Sequence, residues 1–187
     1  MTHSDTIYHG VDTSLYKPSS NKKLLRNELK LDEDTFLFLT VANNDERKNL
    51  ARQLIAFYTF MQKNPKINAQ MFIWTNPIAN NHQEATYNLG EIWRTLTNND
   101  SNVRDRVLVP TPEEYIGGLS EANLVRLYQA ADAYVAASLG EGFNFCLIEA
   151  MSVGLPVIAS GFSSHIELLG ERESLQPIMA NRALLTK

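Results

Sequence analysis

The chain has 187 residues, long enough to bury one substantial core, and 44% of them are hydrophobic, an ordinary share for a globular domain. A formal net charge of −4 gives no electrostatic footprint for nucleic acid, no apolar run reaches the length of a membrane span, and the opening residues His3, Ser4 and Asp5 do not read as a secretory signal. The single cysteine, Cys146, excludes an internal disulfide, so a reducing, cytoplasmic setting is the expectation.

In chain order, residues 6–18 form an extended lead-in punctuated by Gly10 and Asp12. Residues 21–31 carry Leu24, Leu25, Leu29 and Leu31 loosely at helical spacing and predict a short helix. Residues 35–42 are a continuous apolar run of the kind buried in parallel sheets. The polar loop 43–49 follows at the carboxyl end of that strand, where open α/β sheets bind ligands. It holds the adjacent cations Arg47 and Lys48, which suit the stabilisation of charge on a departing phosphate, although such pairs in loops are commonly just solvated.

A helix is predicted over about 49–64 from the stripe Leu50, Leu54, Phe57, Tyr58 and Met61, then a buried strand over 69–75. Residues 76–83 read as a polar loop containing His82, and Leu89, Ile92, Trp93 and Leu96 mark a further helix. The four histidines show no ligand spacing, so no metal site is expected. Residues 106–109 predict a short strand closed by Pro110 and Pro112, and 113–118 read as a loop. Ser120 is placed to cap a helix whose inner face is Leu124, Leu127, Tyr128 and Ala131, leading into a strand over 133–137.

Glu141 and Gly142 then turn the chain into a helix in which only Glu149 and Ser152 are polar between Phe145 and Val153, before Gly154 and Pro156 lead to another strand. A helix so apolar is covered on most sides, and a carboxylate within it needs a partner, whether a protein donor or a ligand hydroxyl. The free N–H groups and positive dipole end of the helix start form an anion site. Gly142 permits close approach of a ligand, and Glu141 offers two acceptor oxygens to hydroxyls. Either acid alone has an ordinary explanation, as a dipole partner or a turn residue; two around one helix start are harder to explain so. Ser163, Ser164, His165 and Glu167 read as a capped short helix. Alternating strands and helices without repeats predict one doubly wound α/β domain over 1–187, with a mostly parallel Rossmann-like sheet.

The run EGFNFCLIEAMSVGLPVIAS, from Glu141 to Ser160, resembles the E-x7-E signature of family 4 glycosyltransferases. Residues 9–18 are similar to that family's lead-in, with His9 in place of the usual Asn, and 118–133 to the stretch before its signature. The resemblance implies the C-terminal, donor-binding lobe of a GT-B fold, and retaining transfer from a UDP-, GDP- or ADP-sugar without metal or other cofactor. It implies that Glu141 meets the hydroxyls of the transferred sugar, with Arg47 and Lys48 on the departing diphosphate as its catalytic companions. Glu149 would meet the ribose, and the amides of Gly142, Phe143 and Asn144 the sugar and phosphate. Asn144 stands where glycine is frequent, which bears on sugar choice. Ala42-Asn43 replaces the family's frequent Gly-Arg, so Asn43 faces the donor and one phosphate contact is missing or supplied by Arg47. The backbone around Val109 would lie by the nucleobase.

By the same resemblance, residues 1–18 lie at the passage between two lobes, 171–187 are an incomplete end whose last strand and helices are absent or barely begun, and the N-terminal acceptor-binding domain is a partner missing from this chain. The lobe alone is then expected to be inactive. The acceptor is left open between carbohydrate, lipid and protein, with no nucleic acid, no transmembrane segment, and a location that is cytoplasmic or peripheral at a membrane through the other domain. The competing reading is a non-catalytic nucleotide-binding or assembly module of the same fold. A dinucleotide-dependent oxidoreductase is disfavoured because no G-x-G-x-x-G follows the first strand.

Overall fold

The computed structural model describes residues 7–77, 86–170 and 184–186. In chain order they form α1 (Lys22–Glu28), β1 (Phe36–Val41), a 3-10 turn (Glu46–Lys48), α2 (Leu50–Lys63), β2 (Ala69–Trp74), α3 (Leu89–Leu96), α4 (Ser101–Arg104), β3 (Val107–Leu108), α5 (Pro112–Gly117), α6 (Glu121–Ala130), β4 (Ala133–Ala136), α7 (Phe145–Ser152), β5 (Val157–Ser160), α8 (Ser164–Leu169) and β6 (Leu184–Thr186). The strands make one parallel sheet in the order β3-β2-β1-β4-β5-β6.

Side chains alternate across a strand, and β1 shows what that does here. Leu37 and Leu39 join Val125, Tyr128, Leu147 and Ala150 in one core beneath α6 and α7. Phe38, between them, packs into a second core with Leu54 and Phe57 of α2, Met71 and Ile73 of β2, and Trp93 of α3. Helices thus cover both faces, and the strand order reverses between β1 and β4. Leu54 sits at the centre of the second core with 0% exposure, and truncation to alanine would cost about 2–5 kcal/mol.

A charged anchor fixes where β1 and β4 begin. Asp132 accepts the Leu37 N–H at 2.7 Å, pairs with Lys22 at 2.6 Å and also takes the Arg26 guanidinium. Arg26 is buried and donates from Nε to the Ala130 carbonyl at 2.9 Å, so α1 is tied to the first turn of both central strands.

Three expectations need correction. Residues 113–118 are not a loop, because α5 occupies Pro112–Gly117 behind a capping box in which Thr111 and Glu114 cap each other and Pro112 fills the first turn. The inner face of α6 is Val125, Tyr128 and Ala130, with Leu124 and Leu127 only partly buried and Ala131 already past its end. A short strand of three residues, β6, pairs with β5 through Ile158↔Leu184 and Ser160↔Thr186. Ser163 makes no side-chain cap for α8; its hydroxyl is used elsewhere. His82 and the rest of its loop from 78 lie outside the described residues, as does the stretch 171–183. Among the described residues no helix is long and apolar enough to cross a membrane.

Candidate functional site

Where strand order reverses, the loops leaving two adjacent strands diverge and open a crevice at their carboxyl ends. In this sheet the reversal lies between β1 and β4, so the crevice is walled by the β1–α2 loop and the β4–α7 loop. The first carries Arg47 and Lys48, the second Glu141 to Asn144.

The two loops are stitched together. Leu139 N–H donates to the Arg47 carbonyl at 2.7 Å, and Asn49 Nδ2 to the Ala137 carbonyl at 3.1 Å. The 3-10 turn is capped by Asp45, whose carboxylate accepts the Lys48 N–H at 3.0 Å. Glu141 then receives both cations, Arg47 Nη1 on Oε2 at 2.5 Å and Lys48 Nζ on Oε1 at 2.6 Å. Its side chain is only 6% exposed and that of Lys48 13%, whereas Arg47 is 48% exposed. Burial by itself would raise the Glu141 carboxyl, but hydrogen bonds from Lys48, Ser138 and Arg47 outweigh it and hold the group below its ordinary value. The Arg47 guanidinium also lies 3.7 Å from the Asp45 carboxylate, so the crevice sets two cations against the enclosed Glu141 and the more exposed Asp45.

Three helices start around this loop with a non-glycine residue at positive φ: Asn49 at 58° before α2, Asn144 at 76° before α7 and Ser163 at 59° before α8. Such conformations cost about 1–3 kcal/mol and persist where surrounding contacts over-determine them. Here those contacts converge on the Glu141 loop. Ser163 Oγ donates to the Glu141 carbonyl at 2.8 Å, and Asn144 Oδ1 accepts the Leu147 N–H at 3.3 Å. The N–H groups of Gly142, Phe143 and Asn144 donate to no acceptor among the described residues. They lie at the positive end of α7. The Asn144 side chain was expected to bear on sugar choice; it points inward instead, is 8% exposed, and is committed to the helix cap and to His165.

Glu149 lies farther along α7 in a different setting. Its Oε2 accepts the Tyr128 hydroxyl at 2.9 Å, and burial raises its carboxyl above the ordinary value despite that bond. Tyr16 beside it is pushed up to about 12, by burial first and by Glu149 second. Burial raises the thiol of Cys146, on the same helix, above its ordinary value. Asn43 is exposed just past β1. Val109, just past β3, packs its side chain against the second core. Two strands separate β3 from β4, which at about 4.8 Å per strand puts Val109 roughly 14 Å along the same edge from the Glu141 loop.

Beside the α7 tip a cleft of about 490 Å³ is lined by Tyr8, His9, Gly142, Phe143, Phe145 and Glu167. His9 closes it with ring centroids 5.2 Å from Phe143 and 4.9 Å from Phe145. A second, apolar groove of about 390 Å³ behind α2, lined by Phe57, Met71 and Val135 among others, contains none of the expected site residues. Sequence reasoning missed Asn44, which fastens this rim by donating from Nδ2 to the carbonyls of Asn76 and Tyr87 at 2.8 and 2.7 Å. It also missed Tyr128 as the partner of Glu149, and His165. Polar residues directly before helices were the available signal for Asn49, Asn144 and Ser163.

Residues 33–184 match the sequence model of the family described as "Glycosyl transferases group 1". Among curated proteins, the chain is 40% identical over 57 residues to the O-antigen chain mannosyltransferase B of Escherichia coli, 30% of this chain and 15% of that protein. It is 24% identical over 141 residues to the alpha-monoglucosyldiacylglycerol synthase of Streptococcus pneumoniae (strain ATCC BAA-255 / R6), 75% of this chain and 28% of that one. The chain thus spans less than a third of the length of either relative. Solved structures share its fold, and two serve as examples. The C-terminal domain of a glycosyl transferase group 1 family protein from Francisella tularensis superposes with a TM-score of 0.65 at 19% identity, over 95% of this chain and 81% of that one. HepE of Anabaena, in complex with UDP and glucose, gives 0.61 at 21% identity over 88% and 40%.

Proposed function

The chain belongs to the group 1 glycosyl transferases, with the fold of one lobe of a GT-B enzyme, and from that premise we propose that it is the donor-binding lobe of a retaining, metal-independent hexosyltransferase of the family 4 type. The observation that carries this reading is the meeting of Arg47, Lys48 and Glu141 beneath the N–H groups of the α7 tip, at the point where strand order reverses. The fold alone would not carry it, because many functions share it.

The chemistry follows from the charges. A diphosphate entering the crevice meets the exposed Arg47 first and competes with Glu141 for its guanidinium, whose planar fork suits phosphate. Lys48 and the amides of Gly142, Phe143 and Asn144 supply further donors. As the bond from sugar to phosphate breaks, negative charge grows on the diphosphate, and donors already fixed in place stabilise it without reorganising. Glu141, released from Arg47 and kept ionised by Lys48, accepts the sugar hydroxyls. A Cβ on Gly142 would meet nothing within 4 Å, so protein packing does not demand glycine there, and its bare backbone leaves room for close approach of the donor. Glu149, costly to keep charged in its half-buried setting, gains a partner in the ribose. Asn43 and the backbone near Val109 extend the site along the sheet edge toward phosphate and base.

HepE holds UDP and glucose, and the two curated relatives are named for mannose and glucose chemistry, which supports a hexose donor and, from HepE, UDP as its nucleotide. Turnover requires an N-terminal acceptor-binding lobe, so this chain is expected to bind but not to transfer. Calorimetric titration with UDP, GDP and ADP tests the first half: binding of one of them is expected, and heat from none contradicts the reading. Sugar transfer catalysed by this chain alone contradicts the second half.

A further inference from the structure

His165 has no role in the chemistry above, yet it is 1% exposed and both ring nitrogens are engaged. Nε2 lies 2.8 Å from Asn144 Nδ2, and Nδ1 lies 3.2 Å from both the carbonyl and the hydroxyl of Ser160. The Asn144 amide can point only one way, because its oxygen must face the Leu147 N–H that it caps. An amide nitrogen donates and a carbonyl accepts, so a single arrangement satisfies the ring: the proton sits on Nδ1, facing Ser160, and Nε2 accepts from Asn144.

We propose that His165 is a positioning residue for donor binding, acting through Asn144: its neutral ring fixes the left-handed cap of α7 and so the direction of the tip's N–H groups. This rests on the reading of that tip as the contact for the donor's phosphate and sugar. Asn144 holds a φ of 76°, which glycine would adopt freely and asparagine holds here with both side-chain ends tied down. If the His165 bond is lost, the cap is free to turn.

A proton on Nε2 would set a donor against the donors of Asn144, and the cap would break. Burial holds the imidazole below its ordinary 6.5, against the Ser160 carbonyl, which favours the cation. Of the charged groups facing it, Glu141 favours the cation and Lys48 opposes it. A histidine with a lowered folded value contributes stability that is full above its unfolded value and is lost as pH falls through the folded one. Acid therefore loosens the tip.

The test measures UDP, GDP and ADP affinity by calorimetry from pH 8 to pH 5 for the chain, for His165→Gln, for His165→Leu, and for His165→Leu combined with Asn144→Gly. Glutamine puts an acceptor near the Nε2 position and does not titrate. It is expected to keep neutral-pH affinity within about threefold, and to lose the acid-side weakening beyond what the ligand's own phosphate titration near pH 6 produces. Leucine is expected to weaken binding about tenfold, and Asn144→Gly, which takes the turn unaided, to abolish that loss. The same pH profile in wild type and His165→Gln, or an undiminished loss in the Asn144→Gly background, overturns the proposal.

Imidazole nitrogen shifts give a reading that needs no ligand. A proton on Nδ1 is expected, with protection of the Leu147 amide relative to its intrinsic exchange rate falling in acid for wild type and not for His165→Gln; a proton on Nε2 overturns the assignment. If none of the three diphosphates binds, the donor-site reading fails, while these spectra still decide the role of His165. They do so equally if the leucine variant does not fold.

Discussion

The two ends of the β4–α7 stretch treat a carboxylate in opposite ways. At the loop end, Glu141 is almost fully enclosed but receives Arg47 and Lys48, and its carboxyl is held below the ordinary value. Within the helix, Glu149 has the Tyr128 hydroxyl and no cation at salt-bridge distance among the described residues, and burial drives its carboxyl up. The first acid is matched by cations; the second has a hydroxyl partner and no counter-charge. That difference is what the proposed roles require, a phosphate end assembled in advance and a ribose end with a standing electrostatic cost.

The largest expected effect comes from removing the satisfied acid. Glu141→Gln leaves Lys48 largely enclosed without its counter-charge and is expected to destabilise the chain by on the order of 2 kcal/mol, read from urea unfolding at pH 7. Because the wild-type carboxyl is lowered, this difference is present above the unfolded value of 4.5 and disappears as pH falls through the folded one. A variant unfolding at the wild-type urea concentration would remove one side of the contrast.

Glu149→Gln should do the reverse. Glutamine keeps an acceptor for Tyr128 and removes a charge that burial disfavours, so the melting temperature is expected to rise by roughly 2–4 °C, the shift that about 1 kcal/mol produces in a domain of this size. A raised carboxyl makes wild-type stability fall as pH climbs from 4.5 through the folded value, so the gain belongs to neutral pH and vanishes in acid. Nucleoside diphosphate affinity should drop several-fold in the same variant. A stabilised protein with unchanged affinity would take the ribose role from Glu149. Smallest of all, Thr111→Ala breaks the α5 capping box at a cost of about 1 kcal/mol, read from urea unfolding.

The central parallel strands were legible because continuous apolar runs at 35–42 and 69–75 can be little other than buried parallel strands, and their lengths came within a residue or two of β1 and β2, whereas the order of the strands in the sheet was not read. The helix α5 was legible too: Thr111-Pro112-Glu113-Glu114 is a start signal, outweighed in the reading by two prolines and two glycines nearby. The pairing of Glu141 with Arg47 and Lys48 was of another kind. Residue types and loops placed the three in one crevice, but nothing local tells a cation awaiting phosphate from one already matched by an acid 93 or 94 residues away. Asn144 shows the same limit, since its residue type was read for a bearing on sugar choice, whereas the helix cap and the histidine partner turn its side chain inward.

The most direct test of the whole account is nucleoside diphosphate binding by the chain with Arg47 and Lys48 both changed to alanine, compared with wild type in the same buffer. Charge-assisted hydrogen bonds are worth about 1.5–3 kcal/mol each, so the account predicts a loss of at least roughly tenfold, and more at low salt, in a protein that remains folded. Equal affinity in the folded double variant would place the diphosphate elsewhere and contradict it.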